Sequence, residues 1–343
     1  MKFLHIGSAG AIMIPFVDFV NKNFFPQEHI FLLNPQKNHK MPEANNIYKS
    51  TKFPRILIYT SGLWKMYRAK KIFLHGLFDI RLIAILMLQP WLLKKCHWVI
   101  WGGDLYDHQF GDKSLIWKTK EFFKKYIIRR FGHLITHIQG DYEFAQKWYG
   151  ARGQWHNCFM YPSNIYRDCS IAPQAHDGIN ILLGNSASRT NCHVDALDKL
   201  LPFAQQNIRI YCPLSYGDIA YGDEIATLGT QMFGNKFIPL REFMSLKDYF
   251  EFLSNIDIAL FNNNRQQGMG NIIVLLGMGK TVYVRSDTTT WQTLTGMGVV
   301  LADTKSLELR QLPSETSTAN RNIITSRFSE SVLIDQFHAI LEN

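Results

Sequence analysis

The chain has 343 residues, which is longer than one ordinary domain and suits two. It is 46% apolar and 19% charged, a composition that excludes an intrinsically disordered protein. The net charge of +9 is uneven, because residues 1–170 carry +13 and residues 171–343 carry −4. Five widely spaced cysteines without a C-x-x-C pair exclude a zinc ribbon and favour a reducing cytosol. No apolar run approaches the ~20 residues of a membrane span, so we expect a soluble or peripheral protein.

The first half alternates short apolar runs with helical segments. Continuous apolar runs are typical of parallel strands that are covered on both faces. Glycine or polar residues follow several of these runs, and the carboxyl edge of such a sheet is where ligands bind. The strands predicted here are 3–6, 30–33, 55–59, 71–75, 98–101, 134–138 and 157–160.

The pattern restarts after a polar, proline-containing stretch at 161–178, which we interpret as a linker. The alternation predicts an α/β protein with two doubly wound, Rossmann-like domains that face each other across a cleft. We place an N-terminal domain at 1–165, a C-terminal domain at 178–325, and a helix at 326–343 that we expect to pack on the N-terminal domain. The strands predicted in the second half are 180–183, 209–212, 237–240, 258–261, 281–284 and 299–301.

A glycine turn follows the predicted strand 258–261 and precedes an apolar helix. Glycines let the backbone approach a ligand closely, and free N–H groups at a helix start attract phosphate oxygens. Arg265 lies beside this turn and can neutralise a departing diphosphate. An ordinary strand-to-helix turn is the alternative. The binding candidates in this segment are Arg265, Gln266, Gln267, Gly268, Gly270 and Asn271.

A second loop of the same kind follows the predicted strand 180–183. Its serine, asparagine and backbone N–H groups suit phosphate oxygens or sugar hydroxyls. Plain helix capping by Thr190 or Asn191 is the alternative. Neither loop is a Walker motif, and no complete G-x-G-x-x-G fingerprint opens the first strand. The binding candidates in this loop are Gly184, Asn185, Ser186, Arg189 and Asn191.

Two side chains that follow strands in the first half are candidates for acid–base chemistry. Asp104 can act as a base towards an acceptor hydroxyl or can orient the acceptor, and His75 can do the same or bind phosphate. Asp141 also lies in a turn, where lone acids more often cap helices. We therefore predict catalytic or acceptor-binding roles for His75 and Asp104, and a capping role for Asp141.

Metal binding is not expected from the sequence. His133 and His137 are four residues apart in a strand-like segment, where they share one face but lie far apart. No third ligand is obvious, and Asp104 and Asp107 are too widely spaced for the D-x-D of a metal-dependent sugar transferase. We predict no metal and no organic cofactor.

Residues 113–131 carry seven basic side chains and one acid, and their apolar residues fall on one helical face. This pattern is typical of a basic amphipathic helix in a membrane interface, where each lysine or arginine contributes about 1 kcal/mol. The alternative is a domain helix with a solvated basic face. The membrane-binding candidates are Lys118, Lys124, Lys125 and Arg129.

At these motifs the chain resembles a known family. It is similar to the bacterial N-acetylfucosamine (4-acetamido-4,6-dideoxygalactose) transferases of enterobacterial common antigen synthesis, glycosyltransferase family 56. The similarity lies in 73–78 (FLHGLF), 100–106 (IWGGDLY), 140–141 (GD), 183–186 (LGNS) with Arg189 and Asn191, and 265–270 (RQQGMG), with weaker matches at Tyr216 and Glu242.

The resemblance implies a GT-B fold, a dTDP-linked 4-amino-4,6-dideoxy sugar donor and a polyprenyl-diphosphate-linked oligosaccharide acceptor. It also implies a peripheral location on the cytoplasmic face of the inner membrane. The glycine-turn and serine-loop candidates, with Tyr216 and Glu242, would line the donor pocket, and His75 and Asp104 would face the acceptor.

Many GT-B enzymes carry one glutamate before the glycine turn and another in the next helix, and the latter can bind the nucleotide ribose. Here Gln267 occupies the first place, and the helix offers only Val274, Leu275 and Leu276. We infer a nucleotide whose sugar lacks one hydroxyl, as in dTDP.

Two other functions are open on the sequence alone. A nucleotide-sugar epimerase of the same architecture would turn over the donor without an acceptor. A nucleic-acid-binding protein is suggested by the positive charge, but the charge accompanies a strongly apolar face and no recognised nucleic-acid module occurs. We therefore expect no nucleic-acid partner.

Overall fold

The structure is a computed structural model that describes residues 2–36, 43–49, 55–168 and 171–342. The chain divides into two compact units. The first comprises Met1–Ser163 with Glu330–Asn343, and the second comprises Asn164–Ser329. Among the described residues, no helix is long and apolar enough to cross a membrane.

The first unit is built on a sheet of seven parallel strands in the order β3-β2-β1-β4-β5-β6-β7. The order reverses direction between β1 and β4, which creates a topological switch point. Its strands are β1 (Phe3–Ala9), β2 (His29–Pro35), β3 (Ile47–Lys49), β4 (Lys71–His75), β5 (Cys96–Val99), β6 (His133–Ile135) and β7 (Gln154–His156). Its helices before the crossover to the second unit are α1 (Met13–Asn23), α2 (Arg55–Arg68), α3 (Ile80–Met87), α4 (Gly103–Phe110), α5 (Leu115–Ile128) and α6 (Gln139–Tyr149).

The predicted strand 55–59 is wrong, because these residues begin helix α2. A short apolar run does not by itself distinguish a strand from a buried helix. The helix approaches the sheet closely: a Cβ atom on Gly62 would lie 2.9 Å from Leu32 Cδ1. The strand that follows β2 is instead β3, a three-residue edge strand that the sequence pattern missed. The predicted strand 157–160 is also displaced, since β7 ends at His156.

The last helix, α13 (Glu330–Glu342), belongs to the first unit. Its Phe337 is fully buried among aromatic rings and packs against Phe16, Phe24 and Phe73. Lys71 donates hydrogen bonds from Nζ to the carbonyls of Ile340 and Leu341, at 2.5 and 2.9 Å. The ammonium group therefore neutralises the negative end of the α13 dipole.

The second unit contains a sheet of six parallel strands in the order β10-β9-β8-β11-β12-β13. Its switch point lies between β8 and β11. The strands are β8 (Ile179–Leu183), β9 (Ile208–Pro213), β10 (Phe237–Leu240), β11 (Ile258–Phe261), β12 (Thr281–Val284) and β13 (Ala302–Asp303). The helices are α7 (His193–Leu200), α8 (Ile219–Phe233), α9 (Leu246–Ser254), α10 (Met269–Gly277), α11 (Thr289–Gly296) and α12 (Ser314–Arg327).

The stretch that we interpreted as a linker holds specific contacts within the second unit. Tyr166 donates its backbone N–H to the Phe328 carbonyl at 2.8 Å. Its ring packs against α10, where a Cβ atom on Gly277 would lie only 2.3 Å from the ring. A side chain at position 277 would therefore displace Tyr166. The predicted strand 299–301 is shifted towards the carboxyl end, because the observed strand is β13.

Candidate active site

The loops after β8 and β11 meet at the switch point of the second unit. The two strands are neighbours, with Ile258 paired to Ile181 and Leu260 to Leu183. Gly184 directly follows β8 with a φ of 70°, and a Cβ atom there would lie 2.8 Å from both Asn191 Oδ1 and His193 Nε2. Only glycine fits this left-handed, crowded position without displacing neighbours. The close fit folds the first loop back against its own Asn191 and the start of α7.

Asn191 holds the first loop in shape. It is buried, and its Oδ1 accepts a hydrogen bond from the Asn185 backbone N–H at 3.0 Å. Its Nδ2 donates to the Ser186 carbonyl at 3.1 Å. Asn191 therefore organises the loop from inside and leaves the side chains of Asn185 and Ser186 to meet the second loop.

Gln267 joins the two loops. Its Nε2 donates to Asn185 Oδ1 at 3.2 Å and to Ser186 Oγ at 3.1 Å. Its Oε1 accepts from the Thr190 hydroxyl at 2.6 Å. A glutamate here would lose the bond that the Gln267 amide nitrogen donates to Asn185 Oδ1, because a carboxylate only accepts. Thr190 is a member of this network that the sequence analysis treated only as a helix cap.

The start of α10 forms the floor of the same site. Gly268 is its N-cap, with a φ of 71°, so the N-cap residue provides no side-chain acceptor for the first N–H groups of the helix. A Cβ atom on Gly268 would lie 3.2 Å from Asn185 Oδ1. Arg265 lies three residues upstream and donates from Nη1 to the Gln266 carbonyl at 2.8 Å. A helix start beside a guanidinium is an arrangement suited to phosphate oxygens.

Tyr216 extends this network, since Asn185 donates from Nδ2 to its hydroxyl at 3.0 Å. Asn271, on α10, bonds instead to the half-buried Tyr249 of α9. The Tyr216 ring stacks on Phe243, whose side chain is exposed, at 6.1 Å between centroids. Glu242 is exposed next to Phe243 in the chain and is not part of the Asn185–Gln267 network.

Arg189 lies away from this network. Its guanidinium pairs with Glu224 at 3.5 Å and lies 4.7 Å from the Tyr221 ring, both on α8. The side chain is two-thirds exposed. The structure therefore does not bring Arg189 to Arg265, as was predicted for the donor pocket, because its guanidinium lies against Glu224 and Tyr221 of α8.

Arg285 is a cation at the same sheet edge that the sequence analysis missed. It follows β12, the neighbour of β11, and forms a two-bond pair with Asp287 at 3.1 and 2.9 Å. This pairing, and that of Lys305 with Asp287, lowers the pKa of the Asp287 carboxyl. The sequence did contain a signal for Arg285, because this residue directly follows the predicted strand 281–284, which the structure confirms as β12.

The first unit has a cavity of about 460 Å³ at its own switch point. The carboxyl ends of β1, β2 and β4 and the beginning of α3 line it. Its polar lining includes Asn34, Gln36, His75 and Arg81. A Cβ atom on Gly7 would lie 3.0 Å from His75 Cβ, so glycine lets β1 and β4 place His75 at the cavity wall.

His75 belongs to a buried hydrogen-bonded chain. Its Nδ1 lies 2.6 Å from the Tyr161 hydroxyl, and its Nε2 lies 3.0 Å from Nδ1 of His5. His5 in turn contacts His29, and the Tyr161 hydroxyl accepts from Trp101 Nε1 at 2.6 Å. Since the indole can only donate, the arrangement that satisfies every proton has the tyrosine donating to Nδ1 and Nε2 donating to His5.

This chain changes the role expected for His75. Burial lowers its pKa to about 3, so the ring is neutral at pH 7. Both ring nitrogens are engaged inside the unit. The prediction that His75 acts directly as base on an acceptor is therefore not supported by this geometry, although the residue does line the cavity.

Asp104 is fully buried, and its carboxylate is enclosed by donors. Oδ2 accepts from the Leu77 backbone N–H at 2.9 Å and from Trp98 Nε1 at 2.7 Å. Oδ1 accepts from the backbone N–H groups of Trp101 and Leu105 at 3.0 and 3.1 Å. The catalytic role predicted for Asp104 is therefore corrected to a structural one: it joins the loops after β4 and β5 to the start of α4. The predicted N-cap role of Asp141 is wrong, because the N-cap of α6 is Ile138. Asp141 lies in the first turn, is buried and accepts from the Tyr106 hydroxyl at 2.9 Å.

The four membrane-binding candidates on α5 do not share one face. Lys118, Lys125 and Arg129 are exposed, but Lys124 is fully buried on the opposite face. Its Nζ donates to Glu121 Oε1 at 2.5 Å and to the Tyr149 hydroxyl at 2.9 Å. The prediction that Lys124 contacts a membrane is wrong, because a buried acid and a tyrosine from α6 enclose its ammonium group.

Comparison with known proteins agrees with the fold and the motifs. The model of a family described as 4-alpha-L-fucosyltransferase, glycosyl transferase group 56, matches residues 45–332. Anabaena Alr3699/HepE in complex with UDP-glucose superposes with a TM-score of 0.71 at 13% identity, over 100% of this chain and 99% of that chain. Sucrose-phosphate synthase from Thermosynechococcus elongatus superposes with a TM-score of 0.71 at 10% identity, over 100% and 98%.

At such identities the solved structures establish the fold alone, and this fold is GT-B. The family match covers most of the chain and confirms the resemblance seen in the motifs. The chain belongs to glycosyltransferase family 56 and is a glycosyltransferase with the GT-B fold.

Proposed function

We propose that this enzyme transfers a 4-acetamido-4,6-dideoxyhexose of the N-acetylfucosamine type from a dTDP-sugar to a polyprenyl-diphosphate-linked saccharide. The reaction would serve bacterial surface-polysaccharide synthesis at the cytoplasmic face of the inner membrane. The observation that carries the proposal is the two-loop site at β8 and β11, where Arg265 lies beside the uncapped start of α10.

The donor diphosphate would lie against this helix start. Backbone N–H groups of α10 and the Arg265 guanidinium would stabilise the negative charge that develops on the departing nucleotide. Asn185, Ser186 and Tyr216 would bind the nucleotide or sugar hydroxyls, and the Gln267 amide fixes the first two of these residues. Catalysis would consist mainly of positioning and leaving-group stabilisation.

The nucleotide preference is argued from α10. Its residues include no carboxylate, and Val274, Leu275 and Leu276 are buried. The helix therefore offers no acid to a ribose 2′-hydroxyl, and this supports a deoxyribose nucleotide. A polar cavity at the switch point of the first unit supports an acceptor site there.

Nucleotide binding can be measured by thermal unfolding with dTDP, UDP, GDP and CDP, without added metal. We expect dTDP to raise the melting temperature most, since a ligand at 100 times its Kd stabilises by about 2.7 kcal/mol. Arg265→Ala should abolish that shift. Arg189→Ala is the matched control and should retain it, because Arg189 pairs with Glu224. A larger shift with UDP would overturn the dTDP assignment, and an Arg265→Ala variant that keeps the full shift would overturn the phosphate site.

Peripheral membrane binding is supported by the exposed face of α5. Leu115, Ile116 and Phe122 are 80%, 72% and 68% exposed. The exposed Lys118 and Lys125 lie along the same helix, and Arg129 directly follows it. α5 packs on α3, which also contacts α2. Further exposed aromatic side chains on this side of the sheet are Trp64 of α2 and Trp91, which follows α3. Large apolar side chains between basic ones are typical of interfacial helices.

Reversing the exposed charges should detach the protein from anionic vesicles. The variant carries Lys118→Glu, Lys125→Glu and Arg129→Glu, and at about 1 kcal/mol per residue we expect a loss of affinity of at least roughly a hundredfold. The control reverses three exposed basic residues of the second unit, Arg209, Lys247 and Arg310, and should bind nearly as the parent does. Vesicle co-sedimentation measures both variants. If the α5 variant sediments like the parent, α5 is a domain helix without membrane contact.

A further inference from the structure

Three histidines from neighbouring strands of the first unit meet on one face of its sheet. His97 lies on β5 and is paired in register with His133 on β6, so the two share a face. His156 ends β7, the next strand. One ring nitrogen of each lies within 4.8 Å of the others.

The contacts within this histidine triad bring ring nitrogens towards one another. His133 Nδ1 lies 2.9 Å from His156 Nε2. The rings of His97 and His133 are stacked, with centroids 4.0 Å apart and planes inclined by 9°. His97 and His156 are buried, whereas His133 is partly exposed. Solvent can therefore reach the triad at His133, whereas the protein shields His97 and His156.

The hydrogen bonds of His97 leave a lone pair for a ligand. Its Nδ1 lies 3.1 Å from the Lys95 carbonyl, which can only accept, so Nδ1 carries the proton. The other nitrogen, Nε2, is then an unprotonated acceptor, and it is buried without a hydrogen-bond partner among the residues that the structure describes. An orphaned buried lone pair needs a partner. A metal-binding histidine normally has this arrangement, with one nitrogen donating to a carbonyl and the other free to coordinate.

The charges around the triad also bear on cation binding. Lys71 is near enough to influence all three rings and opposes a second positive charge. Its ammonium group, however, donates to the two carbonyls that end α13, and this offsets part of its field.

We propose that His97, His133 and His156 bind one divalent transition-metal ion of the zinc class. Imidazole nitrogens are preferred ligands of Zn²⁺, Ni²⁺ and Cu²⁺, and three of them leave one position of a tetrahedral site for water. The site ties β5, β6 and β7 together and stabilises the first unit. It is separate from the cavity at β1, β2 and β4, and the inference is independent of the proposed donor and acceptor.

This departs from the sequence-based expectation of no metal. That expectation considered His133 only with His137, four residues along the same strand-like segment. The partners of His133 come instead from the strands on either side, 36 residues before it and 23 residues after it along the chain.

The test uses tag-free, EDTA-treated full-length protein titrated with Zn²⁺ and, separately, with Co²⁺. We expect one equivalent of Zn²⁺ by calorimetry, a rise in melting temperature of about 5 to 10 °C at 100 times the Kd, and the intense visible bands of tetrahedral Co²⁺. His97→Gln, His133→Gln and His156→Gln should each lose the stoichiometric site and the Co²⁺ bands. His338→Gln removes an exposed histidine of α13 and should leave both unchanged.

Each variant is compared with itself, with and without metal, so a loss of basal stability does not imitate a loss of binding. Far-UV circular dichroism in EDTA shows whether a variant is folded. Absence of stoichiometric Zn²⁺ binding by the parent protein would overturn the proposal. Equal binding by the parent and by a folded His133→Gln variant would show adventitious surface binding and would overturn it as well.

Discussion

Lys124→Ala should destabilise the first unit by about 3 to 5 kcal/mol, which is the usual effect of removing one partner of a buried ion pair. Lys124 is fully buried, and its Nζ bonds to Glu121, to the Tyr149 hydroxyl and to the Asp104 carbonyl, at 2.5, 2.9 and 2.7 Å. Alanine would leave the buried Glu121 carboxylate without its lysine and with only His108 and the Tyr149 hydroxyl as side-chain partners. The free energy of unfolding by urea measures the effect.

Lys125→Ala is the matched control. It removes the same charge one residue along α5, but Lys125 is exposed, so stability should change by less than about 0.5 kcal/mol. The double variant Glu121→Gln with Lys124→Met removes both charges and should recover part of the loss, because no buried charge remains unpaired. Equal effects of Lys124→Ala and Lys125→Ala would contradict the buried pair seen in the structure.

This pair also shows where the sequence pattern of α5 misled the membrane prediction. Helical periodicity correctly predicted a helix, but its apolar residues do not share one face, since Leu115 and Phe122 are exposed and Ile127 is buried. The pattern cannot show that Lys124 lies on the opposite side of the helix. One of the groups that surround its ammonium, the Tyr149 hydroxyl, lies 25 residues away on another helix. A buried cation is recognised only when its partners from other elements are known.

The loops after β8 and β11 were more predictable as structural elements. A strand followed by glycine and a helix is a local pattern, and both loops lie at the carboxyl edge where such sheets bind ligands. The pairing of Gln267 with Asn185 and Ser186 was not visible, because it joins residues 81 and 82 positions apart. The departure of Arg189 towards Glu224 has the same cause: its partner lies on α8, 35 residues further on.

Asp104 illustrates a different limit. A carboxylate directly after a strand is typical of active sites, and it is equally suited to binding the backbone N–H groups that loops leave unpaired. The four hydrogen-bond donors around Asp104 show that it has the second role. One of them is the backbone N–H of Leu77, which lies in the loop after β4. The sequence around Asp104 does not indicate that the loop containing Leu77 lies against it.

Acidification should unfold the first unit well before the carboxylates protonate. Burial lowers the pKa of His29 to about 4 and of His75 to about 3, and it lowers the pKa of His5 between them well below its ordinary value. In the unfolded chain these groups titrate near 6.5. The unfolded state therefore binds protons first, and stability that is present above pH 6.5 is lost as the pH falls towards the folded-state values.

Each of these histidines should reduce the free energy of unfolding by about 2 kcal/mol between pH 8 and pH 5. Three together amount to about 6 kcal/mol, a large part of the stability of an ordinary domain. Urea unfolding at pH 8, 6.5 and 5, followed by tryptophan fluorescence, measures mainly the loss in this unit, because seven of the eight tryptophans lie in it.

Replacing one member of the chain should flatten the pH dependence. His29→Gln removes one of the groups whose proton uptake is coupled to unfolding. The slope of the free energy of unfolding against pH, below pH 6.5, should therefore fall by up to about 1.4 kcal/mol per pH unit. His338→Gln, at an exposed position on α13, should leave the slope unchanged. Equal stability of the parent protein at pH 8 and pH 5 would contradict this prediction. It would mean that these histidines take up protons in the folded state, which the closely spaced His29–His5–His75 chain does not accommodate without disruption.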